Sequence, residues 1–526
     1  MSQDYFQNQA QALARAGVKY AFGITGGGPS LSLIRQLQEV GVKYYGVGHE
    51  AAAAFMAGAC CRNGMVNAVS ISIKGPGFAN QIPGILSNSY ESRPSITISE
   101  YYNDTTPSYR MHKRLDHKSL CQSLVNLYTK ADGTLKQIKH LVKLSTQEPI
   151  GPAHIELGAY VATDNKIISH KVQESQQTDL SILETVFQAI SKSEKPVIIL
   201  GSWAGRINTV NFNDVQIPIV TTASAKGVVN ENYDYAGGIV TGEVTALSPE
   251  SKIIAKADLI IAVGLRNYEV VKVEPFKANL IMIDEVDCGM QNGFEAEISL
   301  IGKDVASVIK QVMTQLNKKT WGKELVCKYK ATLDEEMKLD DWLPSGVFKS
   351  LQSLLDKKTT LVLDTGFFCT IGETVWKAAT TEDFCSSSVG RFMGASVPTA
   401  IGVAISSQNN NIVCVMGDGG ISPYVGEIKL AVDEDLPIVF VLMSDGRYGS
   451  IASFADDDVS VRRATSMSQP SWCYAISALG CDAHKVDTYE QLQKIISEWN
   501  QHGKGPIFME LPFEQEAYAE LAKKLR

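Results

Sequence analysis

The chain has 526 residues, of which 44% are hydrophobic and 20% are charged, and its formal net charge is −8 at pH 7. This length is too great for one ordinary hydrophobic core and predicts about three globular domains. The acidic balance excludes general nucleic-acid binding, which needs a basic surface. No run approaches the roughly 20 apolar residues that span a bilayer, and the polar N-terminus is not typical of a secretory signal. We therefore expect a cytoplasmic protein that binds no membrane.

Short β-branched runs alternate with helical stretches in three sets, as in parallel sheets with crossover helices. The runs are 20–25, 43–49, 67–73, 95–100 and 154–157, then 196–201, 217–222, 258–264 and 279–284, then 359–366, 411–417, 437–443 and 506–511. Polar residues 171–178 and charged residues 317–341 are predicted to be linkers. The pattern predicts an α/β protein of three domains over 1–165, 180–316 and 342–526, each a mostly parallel sheet with helices on both faces.

A short sequence repeat suggests that the first and third domains are related. Gly151–Leu157 (GPAHIEL) and Gly505–Leu511 (GPIFMEL) share four of seven residues, and each ends its set of runs. Coincidence explains four identities equally well. A middle domain of another kind would then separate the two related ones.

Two carboxylates follow successive runs of the third set. Asp418 stands in the turn Gly417–Gly420 after run 411–417, before a helix expected near Tyr424, and Asp445 follows run 437–443. Gly-Asp-Gly alone is ordinary turn chemistry. Because the carboxyl ends of parallel strands share one edge of a sheet, the second carboxylate favours a magnesium site there. The ion would share these carboxylates and a backbone carbonyl with phosphate oxygens.

These motifs resemble those of the acetolactate synthase-like family of thiamine diphosphate enzymes, along nearly the whole chain. The resemblance rests on Gly417-Asp418-Gly419 with Ser444–Gly449 (SDGRYG), on Glu50 in VGHEAAAAF, on Gly75–Asn80 (GPGFAN) and on Val389–Gly394 (VGRFMG). It implies that the first domain binds the aminopyrimidine of the cofactor and the third binds its diphosphate.

The resemblance also implies residue roles. Glu50 would exchange a proton with N1′ of the aminopyrimidine, and Met393 would wedge the two cofactor rings so that the 4′-amino nitrogen meets C2. Mg²⁺ would be bound by Asp418, Asp445 and the backbone carbonyl of Arg447. The implied cofactor contacts are Thr25, Gly26, Glu50, Asn80, Thr365, Gly366, Phe367, Phe368, Phe392, Met393, Gly417, Asp418, Gly419, Gly420, Asp445, Arg447, Tyr448, Gly449 and Ser450.

Several positions depart from the family pattern. Asp445 replaces a carboxamide, Thr25 replaces a proline, and Phe367 and Phe368 remove polar side chains expected near the diphosphate. A basic cluster between residues 110 and 118 is explained either by a solvated loop or by an anionic substrate. On the second explanation Lys113, in the position of a family glutamine, and His117 would contact the substrate.

The resemblance predicts decarboxylation of a 2-oxo acid with transfer of the acyl carbanion to a carbonyl acceptor. Alternatives are simple 2-oxo acid decarboxylation, hydrolysis of a C–C bond, and a catalytically silent cofactor-binding subunit. The family arrangement places Glu50 of one subunit opposite Asp418 of another, so we expect at least a homodimer, with a homotetramer favoured. Some relatives bind FAD in the central domain, but we favour a scaffold role there.

Overall fold

The structure, a computed structural model, describes residues 2–103, 105–162, 164–170, 177–266, 269, 276–287, 295–339, 341–355, 358–407, 410–453, 459–468, 470–502 and 505–525. Three sheets, each covered by helices, confirm the predicted α/β class. Within these residues, no helix is both long and apolar enough to cross a membrane.

The first domain contains a seven-stranded sheet. Its strands are β1 (Tyr20–Gly23), β2 (Lys43–Gly46), β3 (Ala68–Ser72), β4 (Ile96–Glu100), β5 (Leu127–Lys130), β6 (Ala153–Leu157) and β7 (Ile168–Ser169). Its helices are α1 (Ser2–Arg15), α2 (Pro29–Glu39), α3 (Glu50–Cys60), α4 (Pro76–Tyr90), α5 (His117–Leu124) and α6 (Leu135–Ser145). The strand order is β2-β1-β3-β4-β6-β5-β7, and only the short β7 pairs antiparallel.

The central domain contains a six-stranded parallel sheet. Its strands are β8 (Pro196–Leu200), β9 (Ile219–Thr221), β10 (Ala236–Ile239), β11 (Leu259–Val263), β12 (Asn279–Asp284) and β13 (Ile298–Ile301). Its helices are α7 (Leu183–Lys192), α8 (Pro249–Lys252), α9 (Val305–Leu316) and α10 (Lys323–Glu336). The order β10-β9-β8-β11-β12-β13 is that of a doubly wound dinucleotide-binding sheet, with its topological switch between β8 and β11.

The third domain contains a second six-stranded parallel sheet. Its strands are β14 (Thr359–Leu363), β15 (Phe384–Ser386), β16 (Asn411–Gly417), β17 (Ile438–Ser444), β18 (Asp482–Lys485) and β19 (Ile507–Pro512). Its helices are α11 (Pro344–Leu354), α12 (Phe367–Val375), α13 (Ser396–Ser406), α14 (Asp418–Ile421), α15 (Ile428–Asp433), α16 (Gly449–Ala452), α17 (Val459–Thr465), α18 (Trp472–Ala478), α19 (Tyr489–His502) and α20 (Gln515–Lys523).

The first and third sheets share one topology. Counted within each domain, both have the strand order 2-1-3-4-6-5, and the first adds β7 at its edge. The repeated GPxxxEL segments lead into β6 and β19, which are the sixth strands of their domains. The short sequence repeat therefore lies at the same place in two sheets of the same topology.

Some sequence predictions need correction. Most of the unpredicted strands (β7, β10, β13, β15 and β18) lie at sheet edges, where a strand is paired on one side only and its sequence is less uniformly apolar. The segment 317–341, predicted to be a linker, contains α10, which buries Val326, Tyr329 and Leu333. The helix expected near Tyr424 is present as a 3-10 turn over Val425–Glu427 that leads into α15, and α14 at Asp418 is an additional short helix. Residues 171–176 of the other predicted linker lie outside the described residues.

Buried ion pairs join the central domain to its neighbours. The carboxylate of Glu148, in the first domain, accepts hydrogen bonds from Arg206 (2.5 Å) and Arg266 (2.7 Å). On the other side, the ammonium of Lys226 contacts Glu231 (2.6 Å) and donates to the backbone carbonyl of Glu373 in the third domain (2.8 Å). Each charge is paired and hydrogen-bonded, as burial requires.

The first and third domains pack directly through α3 and α13. Small residues allow a close approach: a Cβ atom added to Gly402 would lie 2.5 Å from the backbone oxygen of Met56 and 2.9 Å from Cβ of Ala59. The thiol of Cys60 donates to the carbonyl of Gly402 at 3.3 Å. This contact joins the C-terminal half of α3 to the third domain.

We expect Gly402→Ala to lower the thermal midpoint of unfolding, because the added methyl must separate two packed backbones at a cost of about 1–3 kcal/mol. Gly46→Ala is the matched control, since a Cβ atom there meets nothing within 4 Å. Differential scanning calorimetry of both variants tests the packing. Equal midpoints for the two variants would contradict it.

Candidate active site

Asp418 lies at the shared carboxyl edge of β16 and β17, where Gly417 pairs with Met443. Its side chain is 2% exposed. The carboxylate accepts hydrogen bonds from the hydroxyl of Ser444 (2.6 Å) and from the backbone N–H groups of Asp445 and Gly446 (2.9 Å each). Three donors from the end of β17 therefore fix the orientation of this carboxylate.

Asp445 lies beside Asp418, as the two strand ends predict. Burial raises the pKa of Asp445 to about 6; Arg447 opposes this rise and the neighbouring Asp418 adds to it. Nε of Arg447 donates to the Asp445 carboxylate at 3.1 Å. The guanidinium thus partly offsets the second negative charge that the sequence places here.

The backbone around Arg447 suits the predicted metal ligand. Arg447 and Ser466 form an antiparallel bridge whose hydrogen bonds run from Tyr448 N–H to Thr465 and from Met467 N–H to the carbonyl of Gly446. In this pattern the carbonyl of Arg447 itself points away from Ser466. Two carboxylates and one carbonyl of this kind fit a Mg²⁺ ion whose remaining ligands are phosphate oxygens and water.

Two phenylalanine rings line the same edge. A Cβ atom on Gly417 would lie 2.9 Å from the ring of Phe368, and one on Gly449 would lie 3.1 Å from the ring of Phe367. Both residues open α12, whose first N–H groups have no partner within the helix and suit an anion. The polar side chains that the family pattern leads us to expect here are thus replaced by aromatic packing.

Met393 lies over the glycine-rich turn. A Cβ atom on Gly419 would come within 2.7 Å of the Met393 sulfur and 2.5 Å of the ring of Tyr448. Met393 is 45% exposed, which is unusual for a methionine beside a buried turn. The predicted neighbours Gly419, Met393 and Tyr448 are therefore together, and Met393 has a free face for a ligand or a second chain.

Asp364 anchors the Met393 loop, and the sequence analysis missed it. Its buried carboxylate accepts hydrogen bonds from the N–H of Gly394 (2.9 Å) and from the hydroxyl of Ser396 (2.8 Å). Burial raises the pKa of Asp364, and these donors oppose the rise. The sequence signal that could have identified Asp364 is its position directly after the apolar run TTLVL (359–363).

Glu50 and Asn80, both predicted to contact the cofactor, lie together in the first domain. Glu50 opens α3, where the ring of His49 caps the helix by accepting from the N–H of Ala51 at 3.0 Å. The amide of Asn80 donates to the Glu50 carboxylate at 3.0 Å. Glu50 is 8% exposed, so this predicted pair sits in a largely water-excluded place.

The turn that contains Thr25 and Gly26 is held by Glu100. The N–H of Gly26 donates to the hydroxyl of Ser30 (3.1 Å), and that hydroxyl donates to Glu100 (2.7 Å). Lys74 completes the cluster with an ion pair to Glu100 at 2.9 Å. Thr25 itself is exposed.

His117, predicted to contact a substrate, is buried and contacts the turn at Gly75. It is 2% exposed; its Nε2 accepts from the N–H of Gly75 (3.2 Å), and its Nδ1 faces Ser99 (3.1 Å) and Glu156 (3.3 Å). Both ring nitrogens of His117 thus have partners within the protein, and Nε2 holds the Gly75 turn. Lys113, by contrast, is exposed, and its carbonyl packs against Gly75.

The switch point of the central sheet is occupied by the protein itself. The carboxylate of Glu269 accepts from the N–H of Ser202 (2.9 Å) and from the hydroxyl of Thr222 (2.8 Å), both at strand ends. Phosphates bind such donors in dinucleotide-binding sheets. The N–H of Ser202 and the hydroxyl of Thr222 therefore both bind Glu269 in this arrangement.

Comparison with known proteins identifies the family. The model described as "Thiamine pyrophosphate enzyme, N-terminal TPP binding domain" matches residues 5–120, the central-domain model matches 183–312, and the C-terminal TPP binding domain matches 364–511. The chain belongs to the thiamine pyrophosphate enzymes. Thiamine pyrophosphate is thiamine diphosphate, so the predicted cofactor is that of the family.

Relatives of this thiamine pyrophosphate enzyme cover nearly its whole length. Acetolactate synthase of Bacillus subtilis (strain 168) is 22% identical over 95% of this chain and 92% of its own. Human 2-hydroxyacyl-CoA lyase 1 is 22% identical over 97% and 94%, and the large subunit of acetolactate synthase isozyme 2 of Escherichia coli (strain K12) is 23% identical over 96% and 94%. The chain is thus an acetolactate synthase-like enzyme of this family.

The raised pKa of Asp445 predicts a pH-dependent stability of the metal-free protein. A carboxyl group with a pKa near 6 when folded and about 3.9 when unfolded favours folding while it is protonated, and that stability is lost as pH rises through 6. The free energy of unfolding of Asp445→Asn minus that of the wild type should therefore increase by about 1 kcal/mol between pH 5 and pH 7.5.

Thermal midpoints measured with a chelator present test this expectation. Asp487→Asn is the control, because Asp487 is exposed and lies outside the site. A difference between Asp445→Asn and the wild type that is constant over this pH range would show that Asp445 does not titrate as described.

Proposed function

We propose that this enzyme uses thiamine diphosphate and Mg²⁺ to decarboxylate a 2-oxo acid and transfers the acyl carbanion to a carbonyl acceptor. The observation that carries the proposal is the contact of Asn80 with the buried Glu50, combined with the paired carboxylates at the edge of the third sheet. A cytoplasmic location fits the nine described cysteines, all of which are free thiols.

When bound, thiamine diphosphate supplies a nucleophilic carbon at C2 and takes up the electrons released as CO₂ leaves. Glu50 holds and moves a proton at N1′ of the aminopyrimidine, and Asn80 fixes the orientation of its carboxylate. Asp418, Asp445 and the carbonyl of Arg447 bind the metal ion, and the start of α12 supplies N–H groups to the diphosphate. Met393 would present an apolar side chain to the two cofactor rings.

The site is completed in this proposal by a second chain. Large apolar side chains are exposed near both ends of the site, namely Leu31 (50%), Met393 (45%) and Ile451 (57%). A partner that covers them would exclude water from the reacting carbon. We propose a homodimer as the smallest active unit, with Glu50 of one chain serving the metal site of the other, and a homotetramer as the complete assembly.

C–C bond cleavage without decarboxylation is a second candidate. The human 2-hydroxyacyl-CoA lyase 1 is as similar to this chain as the acetolactate synthase of Bacillus subtilis is. Product analysis separates the two candidates, since a carboligase forms a new C–C bond and a lyase breaks one.

We expect CO₂ release from one or more 2-oxo acids of a panel (pyruvate, 2-oxobutyrate, phosphonopyruvate, phenylpyruvate and oxaloacetate), only when thiamine diphosphate and Mg²⁺ are present. Glu50→Gln should lower the rate at least about 100-fold, since general acid–base catalysis contributes 10²–10⁴-fold. Glu250→Gln is the control, because Glu250 is an equally buried carboxylate of the central domain.

The outcomes of this assay separate the candidates. Cofactor-dependent CO₂ release that is unchanged in Glu50→Gln would refute the assigned proton transfer. Cleavage of a 2-hydroxyacyl substrate, without CO₂ release from any acid, would favour the lyase.

A further inference from the structure

A carboxylate of the third domain reaches the turn that precedes Glu50. Glu427, nine residues after Asp418, is 3% exposed. The backbone N–H of Gly48, in the first domain, donates to both oxygens of the Glu427 carboxylate, at 3.0 and 3.2 Å. Gly48 and Glu427 are 379 positions apart in the chain.

This carboxylate acts on the start of α3. Gly48 and His49 link β2 to the helix that Glu50 opens, and N–H groups at such a start have no partner within the helix. Burial raises the pKa of Glu427, while hydrogen bonds from the N–H groups of Gly48 and His49 oppose the rise. A Cβ atom on Gly48 would lie 3.1 Å from Oε1 of Glu427, so the contact also favours glycine there.

Ring packing holds the same turn from a second side. The ring of Tyr424, three residues before Glu427, lies edge-on to His49 and to Phe55, at 5.7 Å in each case. Phe55 also meets Phe392, the neighbour of Met393, at 6.0 Å. The segment 424–427 and the Met393 loop therefore pack together on the first turns of α3.

We propose that Glu427 is a positioning residue that sets the place of the Glu50 carboxylate by holding the backbone of Gly48 and His49. This inference rests on the proposed function of Glu50. The polar contact fixes the direction of the turn, and the Tyr424 ring prevents the turn from moving sideways. A shift of about 1 Å at a reacting group is enough to cost up to about 100-fold in rate.

The test compares Glu427→Gln with Glu434→Gln in the full-length enzyme. Glutamine keeps the shape of Glu427 but offers one acceptor atom and places an NH₂ group against a backbone N–H. Glu434 is an exposed carboxylate at the end of α15, in the same segment. Three quantities are measured: amide hydrogen exchange at Gly48 and His49, the Kd of thiamine diphosphate with Mg²⁺, and the rate at which the cofactor C2 proton exchanges with deuterium.

We expect Glu427→Gln to speed amide exchange at Gly48 and His49 and to slow C2 exchange at least about 10-fold, with the cofactor Kd changed less than about 3-fold. Glu434→Gln should match the wild type in all three. Normal C2 proton exchange in Glu427→Gln would overturn the inference. An equal loss of cofactor binding and of C2 proton exchange would also overturn it, because that result indicates general damage to the fold.

Failure of the proposed function can be distinguished from failure of the inference about Glu427. If the wild type binds the cofactor and shows no enzyme-dependent C2 exchange, the proposed role of Glu50 fails, whatever Glu427 does. Should Glu427→Gln not fold, Glu427→Asp shortens the contact by one methylene and is compared in the same way. Unchanged amide and C2 exchange in that variant would overturn the inference equally.

Discussion

A buried carboxylate must be given hydrogen-bond donors, and Asp418 receives three from the end of the neighbouring strand. This requirement binds the ends of β16 and β17 together and fixes the backbone of Asp445 and Gly446. The turn after β17 then carries Arg447 and Tyr448 to the same edge. Every feature of the proposed metal and diphosphate site depends on the place of that one side chain.

The two departures at this edge have different physical consequences. Asp445 brings a second carboxyl group close to Asp418; burial raises the pKa of Asp445, and the hydrogen bond from Arg447 opposes that rise. Phe367 and Phe368 change no charge, since they replace side-chain polarity with packing beside main-chain N–H groups. In the proposed function, cofactor binding at this end would therefore depend on the metal ligands and the helix start, and little on side-chain hydrogen bonds.

Sequence patterns predicted the features that are local in the chain. Glu50 opens a helix as expected, Asp418 and Asp445 meet because parallel strand ends share an edge, and the GPxxxEL repeat marks the sixth strand of two similar sheets. Contacts between distant segments were beyond such patterns. Glu427 meets Gly48 across 379 positions, and Asp364 meets Gly394 across 30, and nothing local to these residues indicates the partner. The edge strands other than β2 escaped prediction because they are short, and α10 did because its apolar residues are separated by many charged ones.

The central claim is that Asp418 and Glu50 are the two ends of one cofactor site. Calorimetry of thiamine diphosphate binding, with and without Mg²⁺, tests this claim most directly. The account predicts Mg²⁺-dependent binding to the wild type and a loss of at least about 100-fold in Asp418→Ala, since that variant removes a metal ligand held in place by three donors. Glu50→Gln should keep the cofactor within about tenfold while it loses C2 proton exchange. Equal binding by the wild type and Asp418→Ala, or binding that ignores Mg²⁺, would contradict the account.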